Sequence, residues 1–219
     1  MNGTYFKAAT TDGIDFHTGT VHWLPAEGEP IPEGGWLVEH PNPGDVGSLD
    51  AAGYLSVATA ETDCTGFSWP GRLLSVEPIG TVWTPHPDRF PRKRAAHAWR
   101  VTEELPAWRL FGPQGRQVAA LIEQVAHLTS AQMDDLTAAW VDTRSDAQNA
   151  AWDAAPSAAR VAALDAVLVA ARYAAWYAAQ NAAWGAALGL LVKDLISVED
   201  FRTLTGPWTQ VMGQIEVAV

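Results

Sequence analysis

From Thr137 to Ile196 the chain repeats every four residues without a slip, and most tetrads carry Ala-Ala in the middle. The segment "WDAAPSAARVAALDAVLVAARYAAWYAAQNAAWGAAL" (152–188) shows it plainly, with Trp152, Arg160, Leu164, Arg172, Trp176, Trp184 and Leu188 among the fourth positions. Alanine is the best helix former, so this region is predicted to be helical. Four residues turn an ideal helix through about 400°, so the large residues advance by about 40° per tetrad and spiral around it. A period above 3.6 favours right-handed winding of neighbouring helices. Pro156 breaks the run, with Ser157 or Asp153 capping the restart, and Gly185 and Gly189 permit a bend or a very close helix contact. The expected product is an Ala/Trp-rich helical hairpin or small bundle. One intramolecular partner is not expected to cover a spiralling pattern. Self-association as a twofold homodimer follows, through Ala174, Trp176, Tyr177, Ala178 and Trp184.

The first 112 residues have a different character. "TYFKAAT", "IDFHTG", "TVHWLP", "GGWLVEH", "GYLSVATA", "GRLLSVEPIG" and "AAHAWRVTEEL" carry β-type patterning. The stretches "EGEPIPEGG" and "HPNPGDVGS" are predicted loops, and Asp12-Gly13 a tight turn. After "FGPQG" the spacing of Val118, Leu121, Ile122, Val125 and Leu128 is helical, and Thr129 with Gln132 forms a capping box for the next helix. Ser197 caps a further helix, which Gly206-Pro207 is expected to stop; the last residues, "QIEVAV", have strand character. The fold class expected is α+β: a β-rich domain over 1–112 and a helical domain over 113–219.

Charge narrows the partners. The formal net charge of −11 argues against a general nucleic-acid binder, which needs a basic footprint. Its distribution is uneven. No Lys or Arg stands between Lys7 and Arg72, where ten acids fall, whereas residues 72–116 hold eight bases against four acids. Pairing of acidic with basic strands accounts for such alternation. The sharper alternative is an anion site around "RFPRKR", with Arg89, Arg92, Lys93 and Arg94 joined by Arg72 and Tyr54, because clustered cations repel unless something negative answers them. The single cysteine, Cys64, excludes an internal disulfide and a cysteine-based zinc site. "MNGTYFKAATTDG" lacks a basic-then-apolar leader, and "GAALGLLV" is too short to span a bilayer, so a cytoplasmic protein with no membrane contact is expected.

No catalytic constellation stands out. His17 and His22 lack a third metal ligand at a recognised spacing. His86 beside the basic loop helps hold an anion only when protonated. Ser56 and Ser75 lie in strand-like runs without a nucleophile elbow, and neither a phosphate loop nor a dinucleotide glycine fingerprint occurs. Asp134 and Asp135 belong to a solvated helix face, and Arg160 and Arg172 are expected to meet Asp153 or Asp165. No cofactor is implied.

The motifs "YFKAATTDGIDFHTG", "GYLSVATAETDCTG", "GRLLSVEPIG" and "KRAAHAWRVTEELPAW" resemble an uncharacterised family of domains common in actinobacteria and their phages. The tetrads followed by "LVKDLISVEDFRTLTGPW" look like the C-termini of proteins from the same sources. This resemblance covers most of the chain and implies an architecture without an activity. More loosely, the β-half is similar to ADP-ribosyltransferase-like domains. There the resemblance implies an NAD site with Lys7 in the place of an early His or Arg, with Tyr54 and Ser56 from a second strand, and with no matching late Glu. The leading expectation is therefore a non-enzymatic binding protein, phage or prophage encoded, that sequesters an anionic ligand such as a nucleotide or binds a host protein. An ADP-ribosyltransferase-like enzyme and a virion component are the alternatives.

Overall fold

A computed structural model describes residues 3–26, 29–140, 145–155, 157–170 and 177–215. The protein has an α+β fold, and the chain divides into two compact units, Met1–Leu110 and Phe111–Val219.

The first unit is built on six antiparallel strands: β1 (Tyr5–Ala9), β2 (Trp36–Glu39), β3 (Leu55–Ala58), β4 (Arg72–Ile79), β5 (Lys93–Ala96) and β6 (Ala98–Leu105). Their order is β2-β6-β4-β1-β3-β5. In a flat sheet β5 and β6 would lie four strand spacings apart, roughly 19 Å. Only His97 separates them along the chain. The sheet must therefore curl on itself, with β5 and β6 acting as one strand bent at His97 that pairs with β3 on one side and with β2 and β4 on the other. The curl encloses a core of Val21, Trp23, Leu55, Leu74, Val76, Trp99 and Val101, among others. Trp99 Nε1 donates to the Leu55 carbonyl oxygen at 3.2 Å, which satisfies its indole inside that core.

"IDFHTG" and "TVHWLP" do not form strands. They make only isolated bridges, Ala9 with Asp15 and Ile14 with His22, because Asp15 folds the chain there into a turn. Its Oδ1 accepts from the backbone N–H of His17 (2.7 Å) and Thr18 (3.0 Å), a local side-chain-to-backbone competition with strand pairing. Just upstream Gly13 supplies the tight turn at φ 77°, and a Cβ there would stand 2.9 Å from Leu24 Cβ. The uneven charge is answered largely within this unit. Arg92 pairs with Asp63, Arg109 with Glu61, and Arg72 with Glu104, while Glu77 faces Arg100 across β4 and β6.

The second unit contains six helices among the described residues: α1 (Gly115–Ala126), α2 (Ser130–Ala139), α3 (Ser145–Ala154), α4 (Ser157–Ala170), α5 (Tyr177–Leu191) and α6 (Val198–Met212). α1 buries Val118, Leu121, Ile122 and Val125, and α2 opens on the Thr129–Gln132 capping box. The break at Pro156 falls between α3 and α4. α5 is the hub, packed by α1, α2, α3, α4 and α6. An apolar circumference suits a helix surrounded on all sides, and that is where the alanine pairs 182–183 and 186–187 are buried.

Three details depart from the expectations. Gly206-Pro207 does not stop α6, which runs on to Met212 and ends at Gly213 with φ 79°. Glycine before proline lacks the Cβ that would clash with the ring, so the helix passes through. Arg160 does not meet Asp153 or Asp165; its guanidinium lies 4.2 Å from the Trp152 ring centroid, and Trp152 packs edge-on against Trp184 at 6.0 Å. Of "QIEVAV", Gln214 and Ile215 lie outside any strand, and 216–219 are outside the described residues, as are Ala174, Trp176, Arg172 and the side chains of Tyr177 and Ala178.

Candidate functional site

The curl of β1, β3 and β5 leaves a cleft of about 350 Å³ in the first unit. Lys7 on β1, Ser56 on β3 and Lys93 on β5 reach it from three neighbouring strands. The Asp15 turn adds Phe16, His17 and Thr18. Tyr54 precedes β3, and His86 and Phe90 come from the loop before β5.

Lys7 and Asp15 form its inner end. Lys7 is 8% exposed and Asp15 2%. Lys7 Nζ lies 2.5 Å from Asp15 Oδ2, donates to the Ser56 carbonyl oxygen at 3.2 Å and sits 4.9 Å from the Trp23 ring centroid. Asp15 Oδ2 also accepts from Trp23 Nε1 at 2.9 Å. Burial alone would raise the Asp15 pKa. The Lys7 charge and the hydrogen bonds from Lys7, Thr18 and Trp23 outweigh it and hold the carboxyl at about 2. Both groups are thereby occupied, and the pair is a structural brace of the cleft.

Lys93 is the reverse case. Among the described residues no carboxylate lies within ion-pair distance of its ammonium, which sits 5.3 Å from the Phe90 ring centroid. Burial pushes its pKa down, and the Lys7 charge adds to that. Burial, then the charge of Asp50, raises the Tyr54 pKa, so its phenol stays protonated at neutral pH. Tyr54 is braced edge-on by Trp83 at 5.8 Å. Cys64, behind Lys93 in a smaller hollow of about 20 Å³, is buried, and its thiol is pushed up to about 12, which leaves it a protonated, unreactive core residue.

Of the residues the sequence grouped as an anion site, the structure brings Tyr54 and Lys93 together. Arg72, Arg89, Arg92 and Arg94 are not in the lining. Arg72 and Arg92 are answered by Glu104 and Asp63, Arg94 donates to the Pro91 and Lys93 carbonyl oxygens at 2.8 Å, and exposed Arg89 lies 5.1 Å from the Phe90 ring centroid. Of the loop itself only Phe90 and Lys93 turn inward. Ser75 is buried and accepts from Thr102 Oγ1 at 3.2 Å, a structural role. His17 lines the cleft while exposed His22 stands apart. Among the described residues no three His, Cys, Asp or Glu side chains gather as a metal ion would require. Asp134 and Asp135 are exposed on α2.

The Lys7–Asp15 brace had a signal in the sequence: a lone lysine in an apolar strand, "YFKAA", with no other base for 64 residues. A charge at an inward strand position needs a buried partner. Choosing Asp15 from ten nearby acids required the turn.

No protein-family model, curated protein or solved structure matches the chain.

Proposed function

We propose that this chain is a non-enzymatic binding protein whose N-terminal unit takes a small anionic molecule into the Lys93 cleft. One observation carries the reading. The cleft gathers two of the chain's three lysines against one carboxylate, in a protein of net charge −11, and Lys93 has no carboxylate partner among the described residues. Phe16, Tyr54 and Phe90 suit a flat, partly apolar body, and the volume is that of a small-metabolite site. Calorimetry of the intact protein with phosphate- and carboxylate-bearing aromatic compounds tests it. Lys93→Met should weaken binding by about tenfold or more, because a charge-assisted hydrogen bond contributes about 1.5–3 kcal/mol. Equal affinity in the variant, or preference for neutral analogues, would overturn the reading.

A second reading, NAD-dependent transfer of the ADP-ribosyltransferase kind, has one observation in its favour: Lys7, Tyr54 and Ser56 line this same cleft. Against it, the lining holds no Glu, and Lys7 is committed to Asp15. Nicotinamide release from labelled NAD by the intact protein would decide for transfer.

Self-association belongs to the same proposal, as a twofold dimer of the helical unit. Its seat would be the exposed apolar residues Trp152 of α3 and Val161 and Leu168 of α4.

A further inference from the structure

We propose that Lys93 is a nucleophilic amine, placed to capture the carbonyl of a small anionic aldehyde or oxo-acid as an imine. The inference rests on the reading of the cleft as an anion site and adds a covalent step to it. Lys93 projects from β5 where the main cleft meets the smaller hollow beside Cys64, both of which Lys7 lines as well. Two features of the geometry set Lys93 apart from Lys7. No carboxylate of the described residues lies within ion-pair distance of its ammonium. Lys7, the other lysine of the cleft, is locked by Asp15 and the Ser56 carbonyl oxygen and has no freedom to react.

Burial, then the Lys7 charge, lowers the Lys93 pKa; the Asp15 charge opposes this without cancelling it, and the Cys64 thiol is protonated and carries no charge at neutral pH. Desolvation beside a second cation is a recognised route to a neutral, reactive lysine. The reaction balances without a further reagent. The neutral Nζ adds to the carbonyl carbon, giving a carbinolamine, and loss of hydroxide with a proton releases one water and leaves C=N. His17 and His86 line the same cleft and are the groups placed to hand over that proton. Protonation of the imine returns a positive charge to the site, so the ligand's anionic group keeps its partner.

Pyridoxal 5′-phosphate carries an aldehyde, a flat ring and a phosphate, and serves as the probe. The intact protein is incubated with it, reduced with borohydride and mapped by peptide mass. The other lysines are internal controls: Lys7 is buried and paired, and Lys193 is exposed in the helical unit. The expected result is an adduct on Lys93, formed severalfold faster than on Lys193 at neutral pH. Pyridoxine 5′-phosphate, which lacks the aldehyde, should slow it, and Lys93→Arg should abolish it while Lys193 still labels slowly. Should that variant not fold, the Lys93-to-Lys193 labelling ratio of the wild type from neutral to alkaline pH decides alone, and should be largest at the neutral end. Labelling of Lys193 as fast as Lys93, or of Lys7 instead, overturns the proposal. If pyridoxine 5′-phosphate still binds by calorimetry while Lys93 shows no selectivity, the nucleophile falls and the anion site stands. If neither is seen, both fall.

Discussion

Asp15 joins four groups of the N-terminal unit through one side chain. One carboxylate answers the buried Lys7 ammonium, the Trp23 indole and two backbone N–H groups of the turn that walls the cleft. Asp15→Asn preserves the shape and removes the charge, leaving Lys7 buried without a counter-ion. Breaking one side of such a pair costs about 3–5 kcal/mol. Urea denaturation should show a loss of that size, and one of roughly 1 kcal/mol or less would rank the pair with surface bridges. The pH dependence has a definite sign. The Asp15 pKa falls from 3.8 to about 2 on folding, so the unfolded chain binds the proton more tightly. The stability this provides, about 2 kcal/mol, is complete above pH 3.8 and lost as pH falls through about 2. The Asn variant should lack that part of the acid slope.

At the scale of the element, α5 shows what the tetrads are for. A helix with Ala-Ala pairs all round lets five others approach, and its two glycines mark the closest place. A Cβ on Gly185 would stand 3.1 Å from the Leu204 carbonyl oxygen and 3.2 Å from Trp140 Cζ3, and one on Gly189 3.1 Å from Thr205 Cγ2. Of the two options the sequence left, bend or close contact, the glycines serve close contact with α6. Gly185→Val must push α6 or Trp140 away, at about 1–3 kcal/mol for overpacking. Thermal unfolding should show it as a fall of about 2–4 °C per kcal/mol. An unchanged melting temperature would mean that α5 and α6 are looser than the described packing.

For the whole molecule, the chain divides into two compact units, and Trp152 of α3 with Val161 and Leu168 of α4 are among the large apolar residues left exposed. No helix among the described residues is long and apolar enough to cross a membrane. The expectation of a dimer arose from alanine faces that one partner helix would not cover. Five helices of the same chain pack around α5, Ala174 and Trp176 lie outside the described residues, and the proposed dimer would bury the exposed Trp152, Val161 and Leu168. Light scattering should give a dimer for the wild type and a smaller particle for Val161→Glu combined with Leu168→Glu. A wild type that is monomeric at micromolar concentration ends that proposal.

Local physics was legible in the sequence. Alanine tetrads meant helix, apolar runs meant β1 to β4 and β6, with β5 hidden between the basic loop and the run through His97, and Thr129 and Ser197 announced the helix starts, because propensity, period and capping each act within a few residues. Clustered charge was legible only as clustered charge. "RFPRKR" offered four cations, and tertiary structure decided that Arg92 meets Asp63, that Arg94 turns to backbone carbonyls, and that Lys93 alone enters a cleft. The first and last of those outcomes depend on which segments the fold brings side by side; Arg92 and Asp63 stand 29 residues apart. The same holds for Lys7, whose choice of Asp15 depends on a turn that overrode the strand character of "IDFHTG". Pro207 inside α6 shows the limit from the other side: a local stop signal yields when the preceding glycine removes the clash and a buried face, with Leu204 and Trp208 fully covered, rewards continuing the helix.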